Sequence, residues 1–354
     1  MSIPVVQPKP KGSWINSARR HNIKDNILYA ELYKIDRSIQ VSQIRLYPHL
    51  KYGNQNGSFV VEEYNNTLFV QLANQLGNCL RIISSCKIIA NYYKFNLFIN
   101  ITDNIQPKEK NVIQTLFPNW CIRDLDPNIY AALKYNDYVK YSCFYSTNYN
   151  LIEEGRFEPP FTINATNNNF AITETIYNII PGNMTIETFI KEKIAFYKSI
   201  ALPEFLLNRV HHFMNTTNML ENATIGFHIR YTDNLQDANK KIWNTSLEVF
   251  LEKINQIQIQ FPKSNILICS DNQQIINIIR NLPSATNHTS FIFADKCDSS
   301  DFQAFYEMIL LSKCKRIIGS SSSTFSYESA YIEGTDIELY ENNMWKLYEL
   351  SKYR

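Results

Sequence analysis

The chain has no C-x-x-C pair, no run of about 18 apolar residues and no glycine-rich phosphate loop, and it carries almost no net charge. Each absence excludes something. Seven cysteines, at positions 79, 86, 121, 143, 269, 297 and 314, form an odd and unpatterned set, which argues for reduced thiols rather than a disulfide framework. With no apolar run of that length and no h-region in "MSIPVVQPKPKGSWINSARRHN", neither a membrane anchor nor a secretory signal is expected, and a cytoplasmic setting is. A formal charge of +2 supplies no field to draw in nucleic acid or an anionic membrane. Without G-x-G-x-x-G or G-x-x-x-x-G-K-[ST], a dinucleotide fingerprint and a P-loop are both unsupported.

What is present is a large apolar content: 45% hydrophobic and 19% charged residues over 354 positions, enough for two ordinary domains with sizeable cores. Residues 1–25, rich in Pro and Lys, read as a flexible arm. The first clear unit is strand 67–71, loop 72–78, helix 79–94 and strand 96–100, the span of a βαβ unit. A helix near 106–117 follows, then strands at 138–145 and 170–180, and a helical pair between 185 and 214 broken at Pro203. From Ala223 strands and helices alternate regularly: strand 223–230, helix 246–260, strand 265–271, helix 272–281, strand 290–295, helix 301–314, strand 315–320, helix 324–333 and strand 336–341, with a last helix ending near Lys352. Such alternation predicts parallel sheets covered on both faces. The expected division is an arm at 1–25, an N-terminal α/β domain at 26–215 and a C-terminal Rossmann-like domain at 216–354.

Open parallel sheets bind ligands beyond the carboxyl ends of their strands. In the second half those ends carry His228 and Arg230 of "GFHIRYTDN"; Ser270, Asp271 and Asn272; Asp295; and the run Ser320–Ser323. A strand-end arginine either pairs with a carboxylate of its own chain, Asp233 or Glu328 being the candidates, or waits for an external anion. "GSSSSTFS", 319–326, joins a strand to a helix, so backbone N–H groups there converge at a helix N-terminus, with the Ser323 and Thr324 hydroxyls as further donors. An arginine fork beside a helix N-terminus makes a phosphate site without a metal. In the first half, "QLANQLGN" ends a strand with Gly77 and Asn78 at the turn, where a glycine permits close backbone approach to a ligand. The one D-x-D, "DLD" at 124–126, precedes Pro127 and reads as a turn, so no metal site is expected.

Four stretches in order resemble the fucosyltransferase superfamily that includes α-1,2-, α-1,6- and protein O-fucosyltransferases. "HIRYTD" resembles its H-x-R-R-x-D signature, "FQAFYEMILLSKCKRIIGSSSSTFS" its acidic helix and S-S-x-F-S-like turn, "LICSDN" its intervening strand end, and "QLGNCLR" its first G-x-G-N-type motif. The resemblance implies an α/β fold of GT-B type, two Rossmann-like domains facing a cleft. It also implies inverting, metal-independent transfer of fucose from GDP-fucose to a glycan hydroxyl, with no cofactor. By position, Arg230 would hold the donor diphosphate together with Ser322, Ser323 and Thr324, with Gly77 and Asn78 approaching from the other domain. Asp271 sits at the matching strand end, and His228 and Glu307 would lie near guanine and ribose. Tyr231 stands where the family has its second arginine, and Glu307 where Asp is commoner. Asp233 and Asp237 follow the key strand as candidate general bases, Asp237 near the place where α-1,6 members carry a catalytic Glu. Two alternatives stay open: a GT-B transferase using another nucleotide sugar, and a catalytically silent glycan-binding protein of the same fold.

Overall fold

The structure, a computed structural model, describes residues 12–24, 27–46, 51–63, 67–72, 75–101, 105–118, 120–122, 139–142, 157–161, 169–173, 178–221, 223–230, 245–282, 290–320, 323–341 and 343–354.

The chain begins with antiparallel structure that the sequence reading passed over. A 3-10 turn at Ser13–Ser17 leads into strands β1 (Ala18–Lys24), β2 (Ile27–Tyr33) and β3 (Ile39–Arg45), a meander, followed by the hairpin of β4 (Lys51–Gln55) and β5 (Ser58–Glu63). Much of the supposed arm at 1–25 is therefore folded from Ser13 onward. The reason lies in the period-2 pattern of β2, where Leu28, Ala30 and Leu32 are buried in turn. With Trp14, Tyr52 and Phe59 they form a core of their own, which also takes in Phe69 and Phe98 from the neighbouring parallel sheet.

That sheet contains β6 (Thr67–Leu72), β7 (Asn96–Ile101), β8 (Cys121–Ile122), β9 (Val139–Ser142) and β11 (Asn169–Thr173), all parallel, in the order β8-β7-β6-β11-β9. The single strand expected at 170–180 is two: β11, and β12 (Asn178–Pro181), which pairs separately with β10 (Phe157–Phe161). Helix α1 (Leu76–Tyr93) crosses from β6 to β7, and α2 (Pro107–Leu116) follows β7. Thirteen residues of α1 are buried, because it packs under its own sheet and against elements from the rest of the chain.

Helices α3 (Ile186–Lys198) and α4 (Glu204–Thr216), separated at Pro203, lead to the second sheet. It holds β13 (Ile225–Ile229), β14 (Ile266–Ser270), β15 (Phe291–Phe293), β16 (Arg316–Gly319), β17 (Asp336–Glu341) and β18 (Met344–Tyr348), in the order β15-β14-β13-β16-β17-β18. The connecting helices are α5 (Leu247–Gln260), α6 (Gln273–Arg280), α7 (Gln303–Ser312) and α8 (Thr324–Glu333). Helix α8 ends at Gly334, whose left-handed φ of 68° suits glycine. The last helix expected near Lys352 is instead the antiparallel strand β18, with only a 3-10 turn at Ser351–Tyr353. Trp345 packs edge-on against Phe250 and Tyr340, and the Tyr348 hydroxyl donates to Glu341 at 2.6 Å, contacts that the extended form delivers.

Helix α3 lies against both α1 and α8, and α4 against α7. The two sheets are thus joined through helices, with α1 and α8 in direct contact.

Candidate active site

Strand β13 pairs with β14 on one side and β16 on the other, so the strand order reverses beside it and a crevice opens beyond its carboxyl end. Arg230 is the first residue past that end. Its backbone N–H donates to Ser320 Oγ at 2.9 Å, and the Ser320 N–H donates to the His228 carbonyl at 3.2 Å. The exit of β16 is thereby stitched to the exit of β13, which holds the arginine's backbone. Its guanidinium Nη2 donates to Gln75 Oε1 at 3.1 Å, reaching the residue that precedes α1. Glu328, considered above as an internal partner for Arg230, is bonded to Arg81 and Lys193 instead.

The first sheet has its own reversal, between β6 and β11, and α1 starts there. Its N-terminus meets the N-terminus of α8. A Cβ on Gly77 would lie 2.9 Å from Thr324 Oγ1 and 3.0 Å from the Phe325 backbone nitrogen. The glycine therefore permits the close approach of one helix to another, and it also lines the cleft. Two helix N-termini, each with a partial positive charge, converge beside Arg230; at α1 the Leu76 N–H donates to Glu109 Oε1 at 3.4 Å, and at α8 the Ser326 N–H donates to Ser323 Oγ. Gly77→Ala is expected to destabilise the protein by about 1–3 kcal/mol, the range for overpacking, because the Thr324 hydroxyl can rotate away but the Phe325 amide cannot. Urea unfolding checks this, and an unchanged midpoint would refute the tight contact.

Between these parts lies a cleft of about 480 Å³. One wall is Gln75, Leu76 and Gly77 with Lys108 and Glu109 of α2. The other is His228, Arg230, Ser270 and Asp271 from the strand ends, Gln303 and Glu307 of α7, and Thr324 and Phe325 of α8. His228 is buried, its ring stacked on Phe325 at a centroid distance of 4.4 Å and its Nδ1 2.8 Å from Ser326 Oγ. Burial lowers its pKa from 6.5 to about 4, with Asp271 raising it and Arg230 lowering it further, so the ring is neutral at pH 7. Glu307 moves the other way. Burial raises its carboxyl from 4.5 to about 7, against the hydrogen bond from Gln303 Nε2 at 2.8 Å and with the help of the Asp271 charge. Gln303 is itself fixed, accepting from Cys297 N at 2.6 Å and donating to the Asp295 carbonyl at 3.0 Å.

Seven of the residues singled out in the sequence line this cleft: Gly77, His228, Arg230, Ser270, Asp271, Glu307 and Thr324. Ser323 does not. It is buried as the N-cap of α8, its hydroxyl accepting from Ser326 N at 3.3 Å and lying 3.4 Å from His228 Nδ1, so an inward helix cap replaces the expected phosphate donor. Asn78 stands in the first turn of α1, and its buried Oδ1 has no hydrogen-bond partner among the described residues. Asp295, another strand-end acid, is bound to Arg209 and to the Tyr306 hydroxyl. Tyr231, Asp233, Asp237 and Ser322 lie outside the described residues, as does the "DLD" stretch. Sequence reasoning missed Lys108, Glu109 and Gln303. Lys108 and Glu109 carried only an ordinary helix-start pattern after Pro107, and Gln303 carried no signal.

No protein-family model matches the chain, and no curated protein matches its sequence. Among solved structures it is similar to the NodZ alpha-1,6-fucosyltransferase of Bradyrhizobium co-crystallised with GDP, at 14% identity, covering 81% of this chain and 99% of that one with a TM-score of 0.47. It is also similar to a mutant of Arabidopsis thaliana FUT1 in complex with GDP, at 13% identity over 80% of this chain and 73% of that one, TM-score 0.49. POFUT1 in complex with GDP gives 11% identity over 77% and 96%, TM-score 0.44.

Proposed function

We propose that this chain is a glycosyltransferase of GT-B type that moves fucose from GDP-fucose to a glycan hydroxyl with inversion and without a metal ion. One observation carries the reading: Arg230 and the N-termini of α1 and α8 face a single cleft at the reversal points of two sheets. That arrangement suits a diphosphate, and the order of the four sequence motifs supplies the sugar and the nucleotide. The division at residues 215/216, with the nucleotide on the C-terminal side, belongs to the same proposal.

As the sugar–phosphate bond breaks, negative charge grows on the leaving diphosphate and the sugar ring becomes cationic. In this reading Arg230, its backbone fixed by Ser320, meets that charge together with the helix N-termini and the Thr324 hydroxyl that line the same cleft. Neutral His228 packs under Phe325 and orders the α8 turn, while Asp271 and Glu307 provide acceptors for N–H and O–H groups of the nucleoside. A base for the acceptor hydroxyl is assigned to Asp237 or Asp233 on sequence grounds alone. Among the described residues no helix is long and apolar enough to cross a membrane, and Cys86, Cys269, Cys297 and Cys314 are buried thiols, which accords with a reducing, cytoplasmic setting.

The test is a panel of nucleotide sugars, read by thermal stabilisation and by release of nucleoside diphosphate, in EDTA. GDP and GDP-fucose are expected to stabilise the protein most, and GDP-fucose to turn over. Preference for a different nucleotide sugar would move the reading to another transferase. A requirement for added Mn²⁺ would end the metal-free mechanism. Glycan binding with no response to any nucleotide would favour the silent lectin-like reading.

A further inference from the structure

Behind the cleft, α1 and α8 meet a second time. Arg81 lies one turn beyond Gly77, and Glu328 one turn beyond Thr324, so each pair shares one helix face. Arg81 Nε is 3.0 Å from Glu328 Oε1. Helix α3 adds Lys193, whose Nζ is 2.9 Å from Glu328 Oε2 and donates to Asn178 Oδ1 at 2.5 Å, and Tyr197, whose hydroxyl donates to Glu328 Oε2 at 2.6 Å. The side chains of Arg81, Lys193 and Glu328 are 1%, 0% and 0% exposed, and none of them lines the cleft.

As a source of stability this cluster is a poor choice. Two cations and one carboxylate out of water carry a desolvation cost that Coulomb attraction at best repays, and apolar side chains of similar volume hold packed helices as well or better. What the charges add is direction. A guanidinium hydrogen-bonded to a carboxylate tolerates little sliding or rotation, whereas apolar surfaces repack with small shifts. The cluster ties the helix that follows β6 to the helix that follows β16, which are the two helices whose first turns flank Arg230.

We propose that Arg81, Glu328 and Lys193 are positioning residues: they lock the register of α1 against α8 so that both N-termini address one anion. The inference rests on the functional reading above, because the anion is taken to be the diphosphate of the donor. The lock itself, however, can be measured without ligand.

The experiment compares wild type with the triple variant Arg81→Met, Lys193→Met, Glu328→Leu, and with Glu328→Gln. Each is followed by urea unfolding, by amide hydrogen exchange of the first turns of α1 and α8 in the ligand-free protein, and by calorimetric GDP binding. The triple variant is expected to keep the wild-type urea midpoint or exceed it. Its amides at 76–78 and 324–326 should exchange at least tenfold faster, and GDP should bind at least tenfold more weakly. Wild-type exchange and wild-type GDP affinity in a variant of unchanged stability would overturn the proposal. Should the triple variant fail to fold, Glu328→Gln decides, with its urea midpoint as the control for the two buried cations it leaves without a counter-charge: exchange accelerated at both first turns more than along the rest of α1 and α8 supports the lock, and exchange that is unchanged or raised evenly refutes it. If wild type itself ignores GDP, the functional reading fails while the exchange measurement still judges the lock.

Discussion

Replacing Arg230 with alanine is expected to lower turnover of the nucleotide-sugar donor by about 10²–10³, the loss typical of one pre-aligned donor to developing charge, or ~2.7–4 kcal/mol. The protein should fold normally. The backbone of Arg230 is held by Ser320, and only the guanidinium reaches across to Gln75, so the deletion removes a group at the cleft and no part of the core. Arg230→Lys should fall between wild type and alanine, because an ammonium keeps the charge but loses the planar fork that matches phosphate. GDP affinity by calorimetry and donor turnover in EDTA, with urea unfolding as the control, check this. Unchanged GDP affinity in Arg230→Ala would remove the phosphate assignment and with it the transferase reading.

The second large effect concerns pH. Glu307 has its pKa raised from 4.5 to about 7, so it contributes stability that is full below pH 4.5 and is lost as pH rises through 7. His228 has its pKa lowered from 6.5 to about 4, so it contributes stability that is full above pH 6.5 and is lost as pH falls through 4. From pH 4.5 to 6.5 the two slopes oppose each other at roughly 1.4 kcal/mol per pH unit, and wild type should respond only weakly there. Single variants expose each arm. Glu307→Gln should lose up to about 3 kcal/mol between pH 6.5 and 4, the histidine term alone. His228→Asn should lose stability in the opposite direction, between pH 4.5 and 7, by about 2 kcal/mol, because Glu307 partly faces the open cleft and solvent screens it. Urea unfolding at four pH values measures both. Parallel pH profiles for wild type and Glu307→Gln would show that this carboxyl titrates normally.

The second sheet was legible because its signals are local. Apolar β-branched runs such as "TIGFHI" and "NILIC" are bounded by helices with stop residues, and helix 324–333 and strand 336–341 coincide with α8 and β17 residue for residue. The misses have physical reasons too. The alternation in "ILYAELY" was there to be read, but its burial depends on Trp14, Tyr52 and Phe59 closing over it from other segments. "MWKLY" is extended because β17 offers it an edge to pair with.

By itself the sequence determined the α/β alternation of the second unit, the placement of His228 and Arg230 at a strand exit, and the helix that starts after the serine run. Those follow from periodicity, turn chemistry and the reversal rule, which operate over a few residues at a time. Only the tertiary structure decided that Gly77 abuts Thr324, that Ser323 turns inward, that Lys108 and Gln303 reach the cleft, and that Glu328 belongs to Arg81, 247 residues away, and not to Arg230. Local pattern states which face of an element must be buried. Which distant surface buries it, and which charge meets which, depends on how the whole chain packs.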